Sequence, residues 1–224
     1  MSRNLVKFTL YVERSVRQYF AVFILLFLAA DSYSAMDREV VTKAGRYESN
    51  EAGRKSLKVA CPQGMVPTGM GFSREASVQI LAKEIHPEDN SVEIEFFRPP
   101  SDSKEAHGIM VQAICIGAKV GTLTITWNWG EAASYSQNES GSKVLNADCP
   151  LGYSLIQPGY RLTGPDAALL LQGEADEGAL DKASLKFFRK KSNSGQSIGI
   201  ISGVACLRYE PLQECTCSEK TSGL

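Results

Sequence analysis

Histidine is nearly absent: His86 and His107 are the only two in 224 residues. No His-Glu-x-x-His run contains them, and the cysteines show neither a Cys-x-x-Cys pair nor a zinc-finger spacing. Structural zinc is therefore not expected. The nucleophile elbow, the Walker loop and the dinucleotide fingerprint are missing as well. Gly199-Ile-Ile-Ser-Gly203 has its serine one position late for an elbow and reads as a strand. Charge of one sign is also lacking, with 24 Lys+Arg against 25 Asp+Glu. Without a bulk positive field, no nucleic-acid partner is expected. The acidic stretch Glu174-Ala-Asp-Glu177 with Asp181 lacks the ordered oxygen ligands of a calcium loop and reads as a solvated turn. These absences predict a non-catalytic chain without a cofactor.

The sequence is also poor in long apolar runs. Phe20 to Ala30 is unbroken, but eleven residues make only about 16 Å of helix, short of a ~30 Å hydrocarbon core. Arg3, Lys7, Arg14 and Arg17 precede it, and Asp31-Ser-Tyr-Ser34-Ala35 follows. That order predicts a secretory signal peptide over residues 1–34, with a tilted signal anchor that recruits Tyr19 as the alternative, followed by an N-terminal segment at 35–56. All six cysteines lie beyond it: Cys61, Cys115, Cys149, Cys206, Cys215 and Cys217. An even count on an oxidising route predicts disulfides, with 15 full pairings open. Asn138-Glu-Ser140 is a glycosylation sequon in polar sequence suited to a surface loop.

The strongest positive feature is a repeat. Cys61-Pro-Gln-Gly64, leading to Gly71-Phe72, returns 88 residues later as Cys149-Pro-Leu-Gly152, leading to Gly159-Tyr160. Phe96-Phe-Arg98, Gly108-Ile109 and Cys115 return 91 residues later as Phe187-Phe-Arg189, Gly199-Ile200 and Cys206. Chance rarely produces an ordered series with a single three-residue insertion. The reading is two lobes, 57–130 and 144–209, a Ser-rich connector at 131–143 and a Cys-x-Cys tail at 210–224. Closure within each copy, Cys61–Cys115 and Cys149–Cys206, is the simplest pairing, although cross-lobe pairing satisfies the same count. Cys215 and Cys217 have no counterpart in the first copy and would clip the tail or link a second chain.

Strand signals dominate. Ile109 to Ile116 is almost continuously apolar, as a strand covered on both faces would be. Thr122 to Trp129 places Leu123, Ile125, Trp127 and Trp129 on one side and threonines on the other. Val92 to Phe96 and Ala183 to Phe188 also alternate. Glu75–Lys83 and Ala167–Gln172 fit either short helices or strands. The expected fold is mainly β, with duplicated antiparallel lobes stabilised by disulfides.

Paired Cys-Pro-x-Gly openings, each followed by a Gly-aromatic step and a cysteine-bearing apolar strand, resemble the C-terminal β-rich repeat domain of apicomplexan perforin-like proteins. The resemblance covers roughly residues 57–209. It implies a β-rich attachment module associated with membrane or lipid. The family pattern has three such repeats beyond a pore-forming domain, whereas this sequence shows two and does not read as a pore former.

The copies differ most around the repeated Phe-Phe-Arg. Glu93-Ile-Glu precedes it in copy one, while Lys182, Lys186, Lys190 and Lys191 surround it in copy two. Along a strand, adjacent phenylalanines face opposite sides. Lys182, Lys186, Phe187, Phe188, Arg189, Lys190 and Lys191 are thus candidates for contact with an anionic headgroup or glycan. Trp127 and Trp129 are either interface residues or a ligand platform. The expected function is a secreted binding or adhesion module for a cell-surface protein, glycan or anionic lipid headgroup. A disulfide-linked oligomeric coat component and a small secreted hydrolase using His86 or His107 are the alternatives.

Overall fold

The computed structural model describes residues 36–100, 104–166, 168–172, 174–175, 180–191 and 196–212. The expected signal segment and the tail cysteines Cys215 and Cys217 lie outside these residues, as does most of the acidic stretch before Asp181.

The first copy contains β1 (Met36–Tyr47), β2 (Gly53–Ala60), β3 (Val66–Arg74), β4 (Gln79–His86), β5 (Ser91–Arg98) and β6 (His107–Ala118). The second contains β7 (Thr122–Tyr135), β8 (Gly141–Asp148), β9 (Ser154–Leu162), β10 (Leu169–Leu171), β11 (Glu174–Ala175), β12 (Lys182–Arg189) and β13 (Ile198–Glu210). A single 3-10 turn, Pro87–Asp89, is the only helical element among the described residues. Of the two segments that fitted helix or strand, Gln79–Lys83 lies in β4 and Leu169–Leu171 forms β10, while residues 75–78 form the turn before β4. In each case the apolar residues pack against a Phe-Phe strand: Ile80 pairs with Phe96, and Leu171 with Phe187.

Each copy is built from two antiparallel layers. In the first, β1-β6-β3 is one sheet and β2-β5-β4 belongs to the other. In the second, β7-β13-β9 repeats the first set, while β8, β10 and β11 all pair with β12. The copies are not separate lobes. Ala82 pairs with Arg161 and Lys83 with Tyr160, so β4 and β9 join half of each copy into a six-stranded sheet, β2-β5-β4-β9-β13-β7. One apolar cluster accordingly contains Ile80, Phe96 and Val111 from copy one and Leu162, Phe187 and Ile200 from copy two. Both within-copy disulfides are present, Cys61–Cys115 and Cys149–Cys206.

The expected connector at 131–143 is strand at both ends, with β7 reaching Tyr135 and β8 starting at Gly141. Residues 35–56 likewise carry β1 and the start of β2. The repeat therefore begins earlier than its cysteine. Tyr47-x-x-Asn-Glu-x-Gly-x-Lys55 returns as Tyr135-x-x-Asn-Glu-x-Gly-x-Lys143. Asn50 and Asn138 both take the left-handed turn position, with φ of 65° and 60°. The Tyr47 and Tyr135 hydroxyls donate to the carbonyls of Gly53 and Gly141, at 3.1 and 3.0 Å. Polar turn chemistry fixes this hairpin, so the segment looks like a linker by composition. Asn138 is exposed at that turn.

The Cys-Pro-x-Gly openings are tight turns too. Met65 N–H donates to Pro62 O and Tyr153 N–H to Pro150 O, each at 3.1 Å. Gly64 and Gly152 supply the positive φ that the third turn position requires, 81° and 83°.

Candidate functional site

The structure divides the proposed Phe-Phe-Arg surface by strand alternation. Lys182, Lys186 and Lys190 are exposed and Phe188 is half-buried, whereas Phe187 and Arg189 are buried. Lys191, just beyond the strand, is exposed. Phe187 meets Tyr160 edge-on, with ring centroids 5.6 Å apart. Arg189 pairs through Nε with Asp166 at 2.6 Å, and donates to the carbonyls of Ser136 (2.8 Å) and Gln196 (3.0 Å). Arg98 occupies the equivalent place in copy one and donates to the carbonyls of Glu48, Glu51 and Glu105. These arginines tie strand ends together from within. Phe187 and Arg189 therefore leave the set of surface candidates. Their side chains share the inner face of β12, and burial of the ring carries the guanidinium inward with it.

The two tryptophans take a different place. Trp127 and Trp129 project from the edge strand β7 and meet in an edge-to-face pair, with centroids 5.3 Å apart. Trp127 is half-buried, while Trp129 remains 41% exposed. The Trp127 indole lies over Gly159 of β9 and Gly203 of β13, where an added Cβ would overlap its ring. Two side-chain-free positions thus let the large ring lie against the sheet. Its enclosed N–H has no hydrogen-bond acceptor among the described residues. Leaving such a group unpaired costs about 1–3 kcal/mol, so stability alone does not account for its placement.

Across from the rings stands a polar wall. Glu84 of β4 is 5% exposed and accepts two hydrogen bonds from Arg161 of β9, both 2.6 Å. The bidentate pair fixes both planes. The hydrogen bond to Glu84 raises the Arg161 pKa, keeping the guanidinium charged. Its Cζ also lies 5.5 Å from the Trp129 ring centroid, a cation–π contact that orients the ring. His86 bridges Glu88 and Glu93, at 3.1 and 3.0 Å. Its own backbone N–H and then His86 hold the Glu88 carboxyl below its ordinary pKa.

Together, Glu84, His86, Pro87, Glu88, Trp127, Trp129 and Arg161 line a cleft of about 420 Å³. That volume falls within the range of roughly 300–1,000 Å³ for small-molecule pockets. His107 is elsewhere, paired with Glu75 at 2.9 Å, so the two histidines do not form one site. No cluster among the described residues can hold a metal ion.

The tryptophans and the acidic surroundings of His86 are legible in the sequence; the pairing of Glu84 with Arg161 is not. Glu84 and Arg161 are 77 residues apart and become neighbours only through the junction of β4 and β9. A signal was nevertheless present in the failure of the repeat. Trp127 and Trp129 correspond to Glu39 and Val41, and Arg161 to Ser73, so the pair is not part of the shared scaffold. No family model matches the chain, and no curated protein matches it in sequence.

Proposed function

We propose that the protein is a secreted, non-catalytic binding module whose Trp127–Trp129 cleft takes a neutral or amino-sugar glycan. The carrying observation is the exposed Trp129 ring beside the planar Glu84–Arg161 pair. A sugar presents an apolar C–H face and a belt of hydroxyls, each both donor and acceptor. An indole face suits the former; a carboxylate and guanidinium suit the latter. Glu84, Glu88 and Glu93 outnumber Arg161 as formal charges, so a sulfated glycan is disfavoured here.

A glycan array probed with the disulfide-intact protein tests this reading. Trp129→Ala is expected to weaken binding at least ~10-fold, while its melting temperature stays close to wild type because the ring is 41% exposed. An array without a bound glycan, or binding indifferent to Trp129→Ala, would reject the assignment.

The outer face of β12 supports a second reading, attachment to anionic headgroups. Lys186 pairs in register with Val144, whose side chain is 54% exposed, and together they present charge beside apolar surface. Flotation with anionic vesicles at physiological salt is expected to fall with Lys186→Glu, by about thirtyfold for a two-charge change at ~1 kcal/mol per charge. No flotation by the wild-type protein would remove this reading without affecting the glycan cleft.

A further inference from the structure

A second cavity lies where the two copies meet. Ile80 of β4, Tyr160 and Leu162 of β9, Leu169 of β10 and Phe187 of β12 form its buried wall. Phe72, Leu171 and Arg74 stand at its exposed rim. The cavity measures about 250 Å³, just below the usual small-molecule range of roughly 300–1,000 Å³. It can hold one short apolar chain, not the paired tails of a membrane lipid.

Three polar side chains break the apolar lining: Gln79 spends its amide on the backbone of Asp166, which leaves Tyr160 and Arg74. Tyr160 is only 6% exposed, and its side chain lines the cavity beside Phe187, with ring centroids 5.6 Å apart. Burial raises its pKa, so the phenol remains a proton donor. Arg74 uses Nη1 on the carbonyls of Glu75, Ala76 and Val78, but forms no ion pair with a described carboxylate. The adjacent Glu75 turns to His107 at 2.9 Å. Lys83, whose Nζ lies 5.7 Å from the Phe72 ring centroid, likewise has no described carboxylate partner. An apolar interior with the Arg74 guanidinium at its rim is complementary to an amphipathic anion.

We infer that this cavity binds a small amphipathic carboxylate, a short-chain fatty acid or similar apolar acid, with its chain among Ile80, Leu162 and Leu169 and its carboxylate at Arg74. The site is distinct from the tryptophan cleft and does not rest on the glycan reading.

Isothermal titration calorimetry with octanoate, using octanol as the neutral counterpart, tests it on the disulfide-intact chain. The wild type should bind octanoate, and Arg74→Gln should weaken that binding at least tenfold while changing octanol binding less than twofold. Arg74→Lys should recover part of the loss. Leu169→Phe, which adds bulk at the buried wall, should reduce binding of both. Circular dichroism melting identifies any variant that has lost its fold, and the Arg74→Lys comparison carries the test if Arg74→Gln is unstable. Trp129→Ala should leave octanoate binding intact, separating failure here from failure of the glycan cleft. No octanoate binding at millimolar concentration, or equal losses for acid and alcohol in a folded Arg74→Gln, would overturn the assignment.

Discussion

Arg189→Met is expected to destabilise the protein by about 3–5 kcal/mol, although the residue sits among four lysines that tolerate substitution. Arg189 and Asp166 are only 1% and 3% exposed, so removing the guanidinium leaves a carboxylate in the interior without its counter-charge. The carbonyls of Ser136 and Gln196 lose their donor at the same time. Methionine fills much of the volume, so the loss is electrostatic more than steric. For a domain of this size, roughly 2–4 °C per kcal/mol converts the effect to a drop of about 6–20 °C in melting temperature. Arg98→Met should behave similarly, since its donors hold the β1–β2 turn as those of Arg189 hold the β7–β8 turn. Lys186→Ala, at an exposed position three residues before Arg189, should remain within about 0.5 kcal/mol of wild type. Thermal melts of the three variants decide it. An Arg189→Met protein that melts like wild type would show that the arginine faces solvent, restoring it to the basic surface.

The same arginine shows how strand alternation hides an internal residue within a basic stretch of sequence. Phe-Phe-Arg is a repeated element, and alternation requires its phenylalanines to face opposite sides. Phe187 and Arg189 are two apart, so burying one directs the other inward. The arginine persisted in both copies while the flanking charges inverted, a pattern suited to an internal role. Surrounding lysines obscured it, because composition is read over a window whereas burial alternates residue by residue. The within-copy disulfides were legible because cysteine and glycine mark positions sharply. The tyrosine hairpins were not, since Asn50, Asn138 and their polar neighbours resemble a linker. Beyond Trp127, Trp129 and His86 in the first cavity and Phe187 in the second, the linings are not legible in the sequence. Arg161 meets Glu84, and Tyr160 meets Phe187, only after strands from different parts of the chain are assembled.

Removing either disulfide should lower one cooperative melting transition rather than split it into two. Cys61–Cys115 closes a separation of 54 residues and Cys149–Cys206 one of 57. In the chain-entropy model, each closure removes unfolded-state freedom worth about 4 kcal/mol. Paired Cys→Ala substitutions in either copy should therefore lower the melting temperature by roughly 8–16 °C. Duplication by itself would allow the copies to melt separately. Against that, the β4–β9 junction makes a common sheet, and side chains from both copies belong to a single buried cluster. Unfolding one copy would expose the core face of the other, which favours all-or-none behaviour. The second bond lies in a smaller apolar group with Ala147, Ala183 and Val204, so its loss should also increase hydrogen exchange locally around β8 and β13. Differential scanning calorimetry of both paired variants measures the global effect. Two separated transitions would show that the shared core does not couple the copies, and a shift below about 2 °C would show that the cross-links contribute little to holding the native fold.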